Sequence, residues 1–385
     1  MKKPHIGLLP RILAAIALGI AFGLFFPEWA VRIFATFNAV FGQFLNFLIP
    51  LIIVGLVTPA IADIGKGAGK MLLTTVFIAY GSTILAGLLA YGAGIIFFPK
   101  AVGAGMQSVE PLQMPLPYFS IEINPIFGVM TGLVFAFLMG LAMARASTPK
   151  LLGAFHEFKD IVALTIRKAI VPLLPLYIFG IFLGMTAAGQ VWHTMSVFLR
   201  VILVIIALHL LIILYLFLIA GAFHKKNPLK LLWNMLPAYL TALGTSSSAA
   251  TIPITLRQTL LNGCREQVAG FTVPLCATVH MPGSSMKVSA LALTVCIMTG
   301  LPHDFPLFLE FIMMLGIMMV AAPGVPGGAI MAALAPLGSI LGFGAEAQAL
   351  MIAIYIALDS FGTACNVTGD GAISLIVDKI FANSE

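Results

Sequence analysis

Apolar residues run along the chain in segments long enough to cross a membrane. Predominantly apolar segments fill most of the first 223 residues, and they end mainly near Gly, Pro or Lys. They lie near residues 8–26, 38–59, 72–98, 124–146, 155–187 and 192–223. Because about 20 apolar residues cross a hydrocarbon core of about 30 Å, this pattern predicts six transmembrane helices.

Four polar stretches interrupt the apolar pattern after residue 223. They are GTSSSAATIPIT (244–255), CATVHMPGSSMKVSA (276–290), AAPGVPGGAIM (321–331) and NVTGDGA (366–372). Non-helical backbone that faces lipid is costly, so such breaks persist only where protein buries them or where they line a watery cavity. The pattern therefore predicts broken helices around a polar site, although Gly and Pro could also serve only close packing or kinks.

Two of these interruptions share one layout, an apolar arm, a tip rich in Gly, Ser or Pro, and a second apolar arm. The first lies in residues 227–262 and the second in 304–343, and they enter from opposite sides of the membrane. Broken helices at 265–299 and 345–382 complete the prediction. The expected fold is an all-α polytopic membrane protein with eight transmembrane helices and two inverted re-entrant hairpins. This arrangement is typical of secondary transporters with a site at the bilayer midplane.

Composition and charge agree with a membrane protein. Hydrophobic residues make up 61% of the 385 residues and charged residues only 9%, which excludes an ordinary soluble domain. The net charge of +6 is spread over short basic clusters between apolar segments, such as Lys66 with Lys70. The positive-inside rule places these clusters, and with them both termini, in the cytoplasm, so we expect no nucleic-acid partner. The four cysteines lack metal-ligand spacing, and we expect neither a metal site nor a cofactor.

Four polar residues near the end of the chain are spaced as one helical face. Asp359, Thr363, Asn366 and Asp370 follow one another at intervals of 4, 3 and 4. An ionisable residue at membrane depth costs at least about 2.5–3.5 kcal/mol and marks a functional site by default. The alternative is that these groups only join helices.

The interrupted segments resemble the dicarboxylate/amino acid:cation symporter family, the glutamate transporter homologues. The motifs that carry the resemblance are TSSSAATIP, GVPGGAIM and NVTGD, whereas the first half matches only in the number and length of its spans. The resemblance implies a homotrimer with an elevator mechanism. It places residues 1–71 and 124–187 in a scaffold, and residues 72–98, 192–223, both hairpins and the last two helices in a transport domain.

The resemblance also implies a substrate site. Ser247 and Ser248 would bind the substrate carboxylate, and Val325 and Gly328 would close over it. On the last helix, Asp359 would receive the substrate ammonium and Asn366 would hold its carboxylate. Thr363 and Gly362 belong to the same face.

Two departures from the family pattern bear on the substrate. The usual last-helix arginine is replaced by Gly362, and the aspartate that supports it is replaced by Tyr355. Without the guanidinium fork, the site loses a bidentate clamp for a side-chain carboxylate. We therefore expect a small zwitterionic amino acid rather than glutamate or aspartate.

A third departure bears on ion coupling. Sodium-coupled relatives carry Asn-Met-Asp-Gly-Thr where this chain has His280, Met281, Pro282, Gly283 and Ser284. Sodium is a hard cation that needs oxygen ligands, and neither imidazole nor proline replaces them. Although Asp370 remains where relatives bind sodium, we expect transport without sodium coupling.

Lys287 and His280 suggest what replaces the ion. A fixed ammonium at Lys287, near the buried carboxylates, could act as a tethered cation, and His280 could bind a proton at physiological pH. Alternatively, Lys287 snorkels toward the outer surface, and His280 is a satisfied core residue. We expect His209 to be a core or interface residue. Lys287 could instead serve as the counter-charge for an acidic amino acid or dicarboxylate, and proton-coupled symport is a further alternative.

Two other classes of function compete with a transporter. Ser247, His280 and Asp359 could be a catalytic triad of a membrane enzyme, but no Gly-x-Ser-x-Gly nucleophile motif is present. A channel or receptor is the other class. We expect a transporter, not an enzyme, that binds a small molecule in the lipid bilayer of a bacterial inner membrane.

Overall fold

The computed structural model describes residues 8–66, 69–103, 115–146, 148–322 and 327–382. Within those ranges all regular elements are helical, which confirms the all-α class. The helices are α1 Leu8–Gly23, α2 Glu28–Lys66, α3 Lys70–Val102, α4 Val129–Arg145, α5 Pro149–Thr165, α6 Val171–Ala187, α7 Val191–His224, α8 Pro228–Asn234, α9 Leu236–Thr245, α10 Ser248–Leu261, α11 Glu266–Val279, α12 Pro282–Thr299, α13 Phe305–Ala321, α14 Gly328–Ser339, α15 Ala345–Ala357 and α16 Asp359–Ala382.

Several of these helices are long and apolar enough to cross a membrane. In the described residues they are Glu28–Asp63, Lys70–Val102, Pro149–Ala187, Val191–His224 and Glu266–Thr299. The pair formed by α15 and α16 passes the same test and is bent by 63°. Because α1 and α4 have only 16 and 17 residues, the count of eight spans stays a prediction.

Two helices extend beyond the predicted apolar spans. α2 begins at Glu28 rather than near residue 38, because the carbonyl of Pro27 accepts from the amides of Ala30 and Val31. The span predicted at 155–187 is part of one helical run, Pro149–Ala187, with a π turn at Ile166–Ile170 between α5 and α6. Helix length here exceeds span length because polar ends continue the helix beyond the apolar part.

The helices pack in two groups. One contains α1, α2, α4, α5 and α6, with α2 against α4 and α1 against α6. Gly19 allows α1 to lie close to α6, because a Cβ at this position would lie 2.7 Å from the carbonyl oxygen of Phe179. The other group contains α3 and α7 to α16, with α3 against α12 and α16 against α7, α9 and α11. α13 and α14 touch α2, and α15 touches α6, so these helices join the groups.

Three of the four predicted interruptions coincide with helix ends. α9 ends at Thr245 and α10 begins at Ser248, which makes α8 to α10 the first hairpin. α11 ends at Val279 and α12 begins at Pro282. α13 and α14 form the second hairpin, whose tip at 323–326 lies outside the described residues. The re-entrant placement of both hairpins stays a prediction.

The predicted interruption at 366–372 is wrong. α16 runs without a break from Asp359 to Ala382, and the bend lies at Leu358, between α15 and α16. The glycines of this stretch serve close packing instead. A Cβ on Gly369 would lie 2.7 Å from Cε1 of His280, and one on Gly371 would lie 2.9 Å from Sδ of Met235.

Candidate substrate and ion site

The polar face predicted from sequence spacing is present on α16. Asp359, Thr363, Asn366 and Asp370 are all buried, with exposed fractions between 1% and 7%. Because α16 is continuous from Asp359, the intervals of 4, 3 and 4 place all four side chains on one side. This face turns toward the broken α11–α12 helix and toward the first hairpin.

Lys287 forms an ion pair with Asp359 inside this site. Its Nζ lies 3.4 Å from Oδ1 of Asp359 and donates to the carbonyl oxygen of Leu358 at 3.2 Å. The ammonium also lies 3.7 Å from the ring centroid of Tyr355, within the range of a cation–π contact. Because the Lys287 side chain is fully buried, the alternative in which it snorkels to the outer surface is wrong.

The Asp359 carboxylate also contacts the second hairpin. Its Oδ2 accepts from the backbone N–H of Gly327 at 2.9 Å. One carboxylate thus joins the ammonium on α12 to the start of α14. A buried ion pair adds little stability over apolar residues of similar volume, so this pair marks a candidate functional site.

The three unusual residues of this region form one unit. A Cβ on Gly362 would lie 2.6 Å from Nζ of Lys287, so the lysine fills the space that a side chain at position 362 would need. Tyr355 covers the same ammonium with its ring and donates its hydroxyl to Oγ of Ser284 at 2.9 Å. The changes at 355 and 362 therefore both adjoin Lys287.

His280 bridges α3 and α16. Its Nδ1 lies 2.9 Å from Oδ1 of Asp370, and its Nε2 lies 3.0 Å from Oγ of Ser82. A neutral ring satisfies both contacts by donating to the carboxylate and accepting from the hydroxyl. A protonated ring satisfies them by donating to both. The site therefore accommodates either protonation state of His280 without moving its partners.

The break between α11 and α12 is stabilised by side chains from neighbouring helices. The N–H of Gly283 donates to Oδ1 of Asn366 at 2.8 Å, and Nδ2 of Asn366 donates to Oγ of Ser284 at 3.2 Å. The N–H of Met281 donates to Oγ1 of Thr83 at 3.2 Å. Among the described residues, Asn366 uses one amide hydrogen, so the other could donate to the substrate carboxylate that it is predicted to hold.

Comparison with known proteins gives the same assignment over almost the whole chain. The profile of the sodium:dicarboxylate symporter family matches residues 8–380. The chain belongs to this family. Similar proteins include the serine/threonine transporters SstT of Acinetobacter baumannii strains AYE, AB307-0294 and AB0057. Each is 26% identical over 394 residues, which cover 97% of this chain and 97% of the relative.

Membership of the sodium:dicarboxylate symporter family confirms the main functional prediction. The protein is a secondary transporter in a membrane and acts on a small molecule. The hypothesis of an enzyme with Ser247, His280 and Asp359 as a triad is therefore wrong. The structure also separates these residues, because His280 contacts Ser82 and Asp370, whereas Asp359 contacts Lys287 and Gly327.

The first hairpin brings its tip to the start of α16 in this symporter. Ser247 caps α10 by accepting from the N–H of Ala250 at 3.3 Å, and Ser248 is the first residue of that helix. Ser246, at φ 49°, places its Oγ 2.7 Å from Oγ of Ser360. The serine that links the tip to α16 is therefore Ser246, which sequence reasoning did not select from the run of three.

On the second hairpin, Gly328 is buried at the start of α14, and Val325 lies outside the described residues. Sequence reasoning also missed Ser82 and Thr83, although an adjacent polar pair in the apolar α3 was a usable signal. Gly327 contributes only its backbone, so no side-chain pattern identifies it. His209 is a buried residue, as expected, and its Nε2 lies 3.0 Å from the carbonyl oxygen of Gly283.

Proposed function

We propose that this symporter family member carries a small neutral amino acid across a bacterial inner membrane, without sodium coupling. The substrate class is supported by Gly362, which leaves the last helix without a guanidinium for a side-chain carboxylate. It is also supported by the similarity to serine/threonine transporters over 97% of the chain. The substrate would be held between the first-hairpin tip and α16, by Ser247, Ser248, Thr363 and Asn366, with Val325 and Gly328 above it.

One observation carries the proposal of sodium independence. The ring of His280 occupies the space between Ser82 on α3 and Asp370 on α16 and contacts both. Those oxygens would otherwise be free to bind a hard cation, which prefers oxygen ligands over ring nitrogen. Pro282 supplies no side-chain oxygen at all. The imidazole would thus take the structural place of a coupling ion.

The amino group of the substrate would be recognised at Asp359. Its carboxylate holds the ammonium of Lys287, and a substrate ammonium is the same chemical group. In this proposal the two ammonium groups alternate at Asp359, so the carboxylate keeps a positive partner whether or not substrate is bound. A buried carboxylate without such a partner would be strongly destabilised.

An elevator mechanism in a homotrimer completes the proposal. The packing of α1, α2, α4, α5 and α6 in one group and of α3 and α7 to α16 in another, joined through α13, α14 and α15, supports a division into scaffold and transport domain. All of the predicted site residues in the described part of the chain belong to the second group. Movement of that group as a unit would therefore carry the whole site.

A second candidate is transport of an acidic amino acid or a dicarboxylate. It is favoured by the position of Lys287, whose ammonium lies against Gly362, where relatives place the arginine. In that case Lys287 would bind the side-chain carboxylate of the substrate. Proton-coupled symport through His280 is the corresponding alternative for coupling.

Uptake into liposomes tests these alternatives together. Purified protein is reconstituted, and labelled serine, threonine, alanine, aspartate, glutamate and succinate are offered under sodium, potassium and proton gradients imposed separately. We expect uptake of the neutral amino acids at equal rates in sodium and choline. Preference for the acidic compounds would select the second candidate, and loss of uptake in choline would contradict sodium independence. Uptake that follows the proton gradient and is lost in His280→Gln would indicate proton coupling.

A further inference from the structure

An apolar groove lies between α7, α8, α9 and α16, and its lining contains none of the residues of the proposed substrate site. Its volume is about 490 Å³, within the range of small-molecule sites. Its lining includes Leu210, Leu214, Leu229, Trp233, Leu236 and Thr368. Trp233 and Leu229 are 72% and 63% exposed. The groove is therefore open at the side of the protein.

The groove extends from one end of α7 toward the middle of the bilayer. Leu210 lies about 14 residues before the end of α7 at His224, which corresponds to about 21 Å of helix. Thr368 lies at a similar distance from the end of α16 at Ala382. Because the hydrocarbon core is about 30 Å thick, a groove of this length that begins at the membrane surface would accommodate one acyl chain.

Basic residues lie beside the shallow end of this groove in the sequence. Lys225, Lys226 and Lys230 are exposed; the first two lie between α7 and α8, and Lys230 directly follows the groove residue Leu229 on α8. Lys226 donates to the carbonyl oxygen of Asn262 at 2.7 Å. Lys225 and Lys230 form no ion pair within the described part of the chain. No acidic residue occurs between positions 225 and 265, so this segment beside the groove is positively charged.

We propose that this groove binds an anionic phospholipid, with one acyl chain along the leucines and the phosphate at Lys225 and Lys230. The apolar wall matches an acyl chain, and the paired lysines match a headgroup with net negative charge. A lysine near the membrane surface strengthens such binding about fivefold, so two give roughly 30-fold. A second copy of the chain is a poorer occupant, because its own lysine cluster would be repelled.

Native mass spectrometry of the purified, delipidated protein tests the proposal. Phosphatidylglycerol and phosphatidylcholine with identical chains are titrated separately, and bound lipid per chain is counted. We expect one phosphatidylglycerol to bind about 30-fold more tightly than phosphatidylcholine. Lys225→Gln with Lys230→Gln should remove this preference. The matched control is Lys150→Gln with Lys159→Gln. This variant removes the same charge from α5 and should keep the preference for phosphatidylglycerol.

A second variant tests the apolar part of the site. Leu214→Trp should fill the groove and weaken binding of both lipids. Unfolding temperatures close to that of the unchanged protein will show that the variants are folded. Equal binding of the two lipids by the unchanged protein would overturn the proposal. An equal loss of the phosphatidylglycerol preference in both lysine double variants would also overturn it. A cross-link between two copies of the chain through Trp233→Cys would do the same. None of these outcomes depends on the transported substrate.

Discussion

Lys287 and Gly362 share one space in the core of the protein. The ammonium of Lys287 lies where a side chain at position 362 would begin, only 2.6 Å from the place of its Cβ. The lysine belongs to α12 and the glycine to α16, so neither residue tolerates a large change in the other.

Gly362→Ala should destabilise the protein. In a helix this change normally stabilises by up to about 1 kcal/mol, but here the new methyl group overpacks the site, at a cost of about 1–3 kcal/mol. We expect a lower unfolding temperature in detergent. In a Lys287→Ala background the same change should be neutral or stabilising. Gly92→Ala on α3, which has no atom within 4 Å of its Cβ position, is the control. An equal drop in both backgrounds would show that the two residues are independent.

Lys287→Met should destabilise the protein more strongly, because it leaves the Asp359 carboxylate buried without its cation. Breaking a buried ion pair by removing one partner costs about 3–5 kcal/mol. The double variant Lys287→Met with Asp359→Asn should recover most of that loss, since no unpaired charge remains. Thermal unfolding of the three variants measures the coupling. Additive losses in the double variant would contradict the pairing.

Asp359→Asn should abolish recognition of the substrate amino group. The loss of a charge-assisted hydrogen bond in a dry site corresponds to about 3 kcal/mol, or roughly a hundredfold in affinity. Calorimetric titration with serine or threonine measures it. Asp160→Asn, which removes an exposed carboxylate on α5, is the matched control. Unchanged affinity would mean that the substrate lacks an amino group or binds elsewhere.

Restoring the sequence of sodium-coupled relatives should create sodium dependence. The variant His280→Asn, Pro282→Asp and Ser284→Thr replaces the ring and the proline by oxygen ligands. A cation that binds only the folded state at a hundred times its Kd stabilises by about 2.7 kcal/mol. We expect the unfolding temperature of this variant, and not of the unchanged protein, to rise when sodium replaces choline. The same triple change with Pro282→Asn in place of Pro282→Asp should show a smaller rise of the unfolding temperature in sodium. A sodium response of the unchanged protein would refute the proposal.

Tyr355 should separate the contribution of its ring from that of its hydroxyl. Tyr355→Phe removes only the hydrogen bond to Ser284 and should cost about 0.5–1.5 kcal/mol. Tyr355→Ala also removes the ring beside Lys287 and leaves a cavity, so we expect about 3–5 kcal/mol. Chemical unfolding of both variants gives the difference. Similar losses would mean that the ring does not support the ammonium.

The sequence was sufficient to predict the polar face of α16 and the break at His280. The face follows from residue spacing along a single helix, and the break follows from Pro282 and Gly283 in an apolar segment. Both are local features, and local spacing determines them. The all-α membrane class follows in the same way from the length of the apolar segments.

The pairing of the charged residues could not be predicted in this way. Lys287 and Asp359 are 72 positions apart, and His280 and Asp370 are 90 apart. Which carboxylate each of Lys287 and His280 contacts depends on how α12 and α11 pack against α16. The wrong prediction at 366–372 has a related cause, because glycine permits both a broken helix and a close contact, and only the neighbours His280 and Met235 distinguish them.

The bend at Leu358 gives the Asp359 carboxylate a favourable field from the backbone. Asp359 begins α16, where unpaired amides carry about half a positive charge. The Leu358 carbonyl closes the first turn of this helix by accepting from the amides of Phe361 and Gly362, and it also accepts from the Lys287 ammonium at 3.2 Å. The carboxylate thus lies at the helix terminus of opposite sign, which a straight helix through residue 358 would not provide.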